Sequence, residues 1–277
     1  MKLVSICPSN TELLHFLGAA PDLIGIDDFS DWPSEVERLP RLGPDLSIDM
    51  NKLEALEPDL VLASLSVPGM EKNIEELIKR NIPHVIYDPQ SLTDIQNDLL
   101  DLGKRINRLY EAERIVNWMK DEINEYMRIS DSLNERKKVY FEWWPKPVFT
   151  PGKINWLTEI SRLAGGMNVF EDVELASVQT TWEDVVDRKP DLIGMVWVGV
   201  KTDKMHPSHI MKREGWDILN AHQTEIVKLE ESLFCRPSPR LIFGLKRLAA
   251  LIHPEEYPAF LPEQEENDMK ELQVIIR

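Results

Sequence analysis

The sequence predicts an α/β protein of two similar lobes joined by one long helix, with a ligand cleft between the lobes. Three observations lead there. Short apolar runs alternate with helical spacings, the same ordered motifs occur twice, and a stretch without Pro or Gly separates the two occurrences. The 277 residues suffice for two units of roughly 100–150 residues, each with its own core. The divisions that follow are an N-terminal lobe over 1–107, a linking helix over 108–134, a C-terminal lobe over 135–260 and an acidic tail over 261–277.

The first lobe opens on "KLVSIC", an apolar run that reads as a strand and turns at Pro8. Leu13, Leu14 and Leu17 give the helical spacing that follows. Ser9 and Glu12 form a Ser-x-x-Glu capping box, and Gly18 is placed to end the helix. "DLIGI" is a second strand. In "LEALEPDLVLASL" a helix end meets a Pro-Asp turn and a buried strand, Leu60–Ala63, and "NIEELIKRNIPHVIYD" repeats helix then strand. Strands that alternate with helices in this way form parallel βα units. Between residues 110 and 130 the spacing of Ile115, Met119, Ile123 and Met127 marks one helical stripe. Roughly 20 residues at about 1.5 Å each span about 30 Å. The pattern then returns: "KVYFEWW" is a strand, "NWLTEISRLAGG" a helix closed by Gly165 and Gly166, and "WEDVVDRKPDLIGMVW" repeats the Pro-Asp-Leu turn and strand. "TELLHFLGA" pairs with "TEISRLAGG", and "LEPDLVLA" with "RKPDLIGM", in the same order in each half.

Composition removes several functions. The formal net charge is −16, with 48 acidic against 32 basic residues and no basic stripe, so the field repels a nucleic acid backbone. No apolar run approaches the roughly 20 residues that span a bilayer. Cys7 and Cys235 lie far apart and form neither a disulfide framework nor a metal spacing. "MKLVSICPS" is already strand and turn, without the apolar stretch of a secretory signal, which places the chain as given in the cytoplasm, or on the exported side if a leader was removed. Gly-rich phosphate loops and a Gly-x-Ser-x-Gly elbow are missing. His206 and His209 are two imidazoles without a third ligand, and Pro207 sets His206 outside a helix. No acid, base and nucleophile converge, so neither catalysis nor a catalytic cofactor is expected.

What remains is an aromatic concentration. Six of the seventeen residues in "YFEWWPKPVFTPGKINW", 140 to 156, are aromatic. Pro145 and Pro147 stop the strand and project a loop from its C-terminal end, the end beyond which open α/β sheets bind ligands. The equivalent first-lobe loop is "CPSNTE", and "DWP" supplies Trp32 after the second strand. Stacking a flat ligand on such rings is worth about 1–3 kcal/mol per well-buried ring. A packing role, filling gaps between the lobes, is the alternative reading of the same rings.

The segments "SICPSNTELLHFLGA", "LEALEPDLVLA", "PVFTPGK…AGGMNVF" and "RPSPRLIFGL" together resemble the helical-backbone metal receptors, the substrate-binding proteins of ABC importers for vitamin B12, haem and iron siderophores. The resemblance covers roughly residues 2–253. It implies two Rossmann-like lobes, little closure on binding, a monomer, a corrinoid or other metal chelate as ligand, and an ABC permease as partner. Carried across, it places Pro8, Ser9, Asn10 and Trp32 on the first lobe's ligand side and Phe149 on the second's. Ser64 and Ser177 stand where corrinoid-binding members have tryptophans, with Trp143, Trp144 and Trp182 nearby to compensate. Glu71 takes the place of one permease-docking acid; the other place holds Cys235, close to Glu230 and Glu231. The competing function is a cytosolic enzyme or chaperone acting on a corrinoid or other metal cofactor.

Overall fold

The computed structural model describes residues 1–261, 263, 267–270 and 272, so most of the acidic tail expected over 261–277 lies outside the described residues. The chain forms two compact units. The first holds Met1–Pro89 and Thr93–Met119 together with the described residues from 267 on, and the second holds Gln90–Leu92 and the described residues from Lys120 to 263.

In the first unit β1 (Leu3–Ser5), α1 (Pro8–Phe16), β2 (Leu23–Ile26), α2 (Met50–Ala55), β3 (Leu60–Ser64), α3 (Glu71–Lys79) and β4 (His84–Tyr87) alternate, followed by α4 (Leu92–Arg105). The four strands are parallel in the order β2-β1-β3-β4. Val4, Ile6, Leu53, Val61, Ala63 and Leu77 are among the side chains that fill this core. Gly18 ends α1 as expected: its φ is +67°, and the Ala19 amide closes back on the Leu14 carbonyl at 2.8 Å. The capping box is not made. α1 begins two residues earlier, with Cys7 at the cap and Pro8 in the first helical position, which its fixed φ suits. Ser9 and Glu12 therefore lie inside the helix, both buried.

The long helix is α5 (Leu109–Ser132). Ala112, Ile115, Val116 and Met119 are buried in the first unit, whereas Ile123 is half-buried and Met127 is 43% exposed. Four-residue steps overshoot the helical repeat by about 40° each, so three of them carry Met127 off the face. Tyr126 takes the inward place, stacked on Tyr257 at 5.3 Å, and Ser130 donates to the Arg162 carbonyl.

The second unit contains β5 (Lys137–Glu142), β6 (Trp144–Pro145), β7 (Val148–Pro151), α6 (Trp156–Leu163), β8 (Gly166–Asn168), β9 (Ser177–Thr180), α7 (Trp182–Arg188), β10 (Leu192–Met195), α8 (Ser208–Met211), α9 (Trp216–Ala221), β11 (Glu225–Lys228), α10 (Glu231–Phe234) and α11 (Leu241–Ile252). Its parallel sheet has the order β11-β10-β5-β8. Counted from the first strand of each sheet, both orders are second, first, third, fourth. The twofold motif in the sequence is therefore a twofold topology. Pro145 and Pro147 do not release a free loop: β6, β7 and the distant β9 make a small antiparallel sheet. Pro145 sits at the short edge strand, where its missing N–H costs no ladder bond.

Candidate functional site

A strand order of this kind reverses between the first and third strands, and ligand loops gather at the C-terminal ends there. In the first unit that point lies between β1 and β3. Pro8, Ser9 and Asn10 form the first turn of α1 above it, all buried. Asn10 Nδ2 donates to the Ala63 carbonyl at 3.0 Å, tying the helix to β3, and Ser9 Oγ lies 3.3 Å from Cys7 Sγ. Ser64, buried at the end of β3, pairs with Ser66 Oγ at 2.8 Å. These side chains are committed to the fold. Trp32 sits elsewhere along α1, edge-on to His15 at 4.4 Å and 5.8 Å from Phe16. Six or more helical residues separate that contact from Ser9, about 9 Å. Phe29, absent from the sequence reading, is 46% exposed on the loop after β2.

In the second unit the reversal lies between β5 and β10. The small sheet beside it sorts its side chains by alternation. Val148, Thr150 and Val178 face inward, while Trp144, Phe149, Ser177 and Gln179 lie on the other face. Trp144 stands opposite Phe149, and Phe149 opposite Gln179. Trp144 is 42% exposed, and its indole N–H donates to the Lys146 carbonyl at 3.1 Å, which fixes the ring. Val198, also exposed, joins this ledge through its amide, which donates to the Trp143 carbonyl at 3.2 Å. Trp143 itself turns inward, its buried indole Nε1 directed at the Cys235 thiol. Trp182 belongs to the core: its N–H donates to the Glu214 carbonyl at 2.8 Å, and the Arg213 guanidinium covers its ring at 4.7 Å.

Sequence reading also missed the charge at the end of β5. Glu142 is fully buried, held by Arg213 through two bonds of 2.5 and 2.9 Å, by the Trp197 indole at 3.0 Å and by the Tyr140 hydroxyl at 3.3 Å. Burial, with Glu142 beside it, pushes the Tyr140 phenol well above its usual pKa. His209 stacks on Trp197 at 5.5 Å, and His206 meets His209 edge-on at 5.9 Å. Among the described residues no group of three or more His, Cys, Asp or Glu is arranged to hold a metal ion, and no helix is long and apolar enough to cross a membrane.

At the docking positions, Glu71 is exposed at the start of α3 and accepts from the Gly69 amide at 2.7 Å. Cys235 points inward: its Sγ donates to the Val196 carbonyl at 3.7 Å, and burial raises the thiol well above its usual pKa. Glu231 is paired with Arg236 at 3.0 Å and Glu230 with Arg247 at 2.8 Å, so both acids are engaged within the unit.

Two parallel sheets of the same strand order, with loops gathered at their C-terminal strand ends, are the frame of an α/β binding protein. The chain belongs to the periplasmic binding protein family, whose model matches residues 3–229, and members are non-catalytic substrate-binding components of ABC transporters. That membership sets aside the enzyme alternative. An ABC transporter substrate-binding lipoprotein of Bacillus subtilis, YvrC, described as uncharacterized, is 29% identical over 92% of this chain and 81% of its own length. The vitamin B12-binding protein of Pectobacterium carotovorum is 26% identical over 90% of this chain and 87% of its own. Among solved structures, the periplasmic vitamin B12-binding protein BtuF of Vibrio cholerae aligns with a TM-score of 0.73 at 20% identity, covering 90% of this chain and 94% of that one. A periplasmic heme-binding protein of Pseudomonas aeruginosa reaches 0.79 at 18% identity, covering 94% and 95%. At these identities the structures speak for the fold alone.

Proposed function

We propose that this chain is the ligand-capturing component of an ABC importer and that its ligand is a corrinoid. The observation that carries the reading is the outer face of the small sheet, where Trp144 and Phe149 stand side by side at the ligand end of the second unit. Rings held by their own backbone bonds suit a broad, flat chelate, because stacking then costs little side-chain ordering. Several relatives described as vitamin B12-binding proteins support the corrinoid over haem or a siderophore. Descriptions of relatives as lipoprotein or periplasmic support the exported location over the cytoplasmic one, with a permease as partner. The test is a fluorescence titration with cyanocobalamin, ferric haem and a ferric siderophore in parallel. Saturable quenching by cyanocobalamin at micromolar concentration is expected. Quenching by haem or siderophore alone would reassign the ligand, and no quenching by any would remove the reading.

A further inference from the structure

Behind the loop that carries Phe29 and Trp32 runs a chain of buried oxygens. Asp27 Oδ2 lies 2.5 Å from Ser30 Oγ, Ser30 Oγ 2.7 Å from Thr11 Oγ1, Thr11 Oγ1 2.8 Å from Ser5 Oγ, and Ser5 Oγ 2.9 Å from the Cys7 carbonyl. Asp27, Ser5, Thr11 and Ser30 are all essentially inaccessible to solvent. Each contact is a hydrogen bond only if one proton lies in it. There are four contacts and three hydroxyl protons, and the carbonyl at the far end has none to give. With Asp27 ionised, Ser30 donates to the carboxylate, Thr11 to Ser5, and Ser5 to Cys7. The 2.7 Å contact between Ser30 and Thr11 is then left as two facing lone pairs.

We propose that Asp27 is a positioning residue that works as a neutral carboxylic acid: its proton completes the chain and latches the loop over residues 27–33 to α1, setting Phe29 and Trp32 for the ligand. This rests on reading the strand ends as the ligand side. Asp27 Oδ1 also accepts from the Phe29 and Ser30 amides at 2.7 and 3.0 Å, so the turn itself survives in either state. What the missing proton releases is the seam between loop and helix. Burial raises the Asp27 carboxyl to about 6, and the carboxyl of Asp45 adds to the rise. The other charged or titratable neighbours are Cys7 at the end of β1, Arg41, which donates to the Asp27 and Ser30 carbonyls at 2.9 and 2.6 Å, and His15 of α1 against Trp32. Glu12 and Asp31 flank the seam and are engaged in interactions of their own.

Carbon-13 NMR of labelled aspartate carboxyls on the ligand-free protein tests this without assuming any ligand. The Asp27 signal, assigned by its loss in Asp27→Asn, should titrate near 6. The Asn amide can donate to Ser30 in the proton's place, so Asp27→Asn should hold the acid-form resonances of Phe29 and Trp32 up to neutral pH. Asp27→Ala should show the released form at every pH. Titration of Asp27 in the ordinary range near about 3.9 would overturn the proposal. So would identical loop spectra in the Asn and Ala variants. With cyanocobalamin or ferric haem as probe, whichever binds, affinity should fall by at most about 25-fold from pH 5.5 to 7.5, the ratio of latched fractions for a group titrating at 6. Asp27→Asn should abolish that fall. Equal affinity of the Asn and Ala variants for a probe that binds would sink the positioning role.

Discussion

Arg213→Ala isolates the buried charge at the end of β5. It leaves the Glu142 carboxylate, with no solvent exposure, facing only the neutral donors Trp197 and Tyr140. Breaking one side of a buried pair costs about 3–5 kcal/mol, because the surviving charge keeps its desolvation penalty and loses its partner. The same change uncovers the Trp182 ring, a cation–π contact worth about 0.5–2 kcal/mol. Urea unfolding followed by circular dichroism should therefore show a loss of about 3–5 kcal/mol or slightly more for the second unit. In a thermal scan that corresponds to roughly 6–20 °C, taking about 2–4 °C per kcal/mol. The double variant Glu142→Gln/Arg213→Met should recover most of the stability, because no charge is then left buried. A single-variant loss under about 1 kcal/mol, or a double variant no better than the single, would refute this account of the network.

Trp144→Ala and Phe149→Ala should each weaken cyanocobalamin binding by about 1–3 kcal/mol while leaving the unfolding midpoint nearly unchanged, as equilibrium dialysis and urea curves would show. Trp182→Ala should do the reverse, costing about 3–5 kcal/mol of stability as a core truncation. Cys235→Glu should destabilise the second unit instead of supplying a docking acid, since the new carboxylate would enter the buried position now facing the Val196 carbonyl; unchanged stability with stronger permease pull-down would show the side chain turned outward. Burial and the neighbouring Asp94, Asp101 and Asp88 raise the Asp98 carboxyl to about 7, above its unfolded value. The folded state therefore binds that proton more tightly, and stability should decline as pH rises between about 4 and 7. Asp98→Asn should flatten that slope in a series of urea curves across the interval.

The alternation of strands and helices was legible because its signals are local. Gly18 and the two Pro-Asp turns act within a few residues of themselves, and the structure uses them as read. The capping box failed on equally local grounds, since Pro8 took the first helical position that Ser9 would have needed to precede. The site was less legible because neighbouring tryptophans differ only through distant partners. Trp144 is exposed on a hairpin completed by β9, some thirty residues on, whereas Trp182 is sealed under Arg213. Nothing in the sequence near Glu142 announces an arginine 71 residues later. Phe29 carries a weaker trace: it lies in "DDFSDWP", and an aromatic flanked by acids and serines in a strand-end loop is a residue the fold has no packing reason to put there.

The helix α5 bears on how this protein can be taken apart. Its first half supplies Ala112, Ile115, Val116 and Met119 to one core, and its second half supplies Tyr126 and Ser130 to the other. No single cut in the chain yields two self-sufficient pieces. Cleavage ahead of the helix strips the first unit of a wall, and cleavage behind it strips the second. Melting of α5 from either end withdraws apolar cover from both cores in turn, so the helix transmits cooperativity as well as connecting chain. Separately expressed fragments should accordingly behave as complementing halves that both need the shared helix.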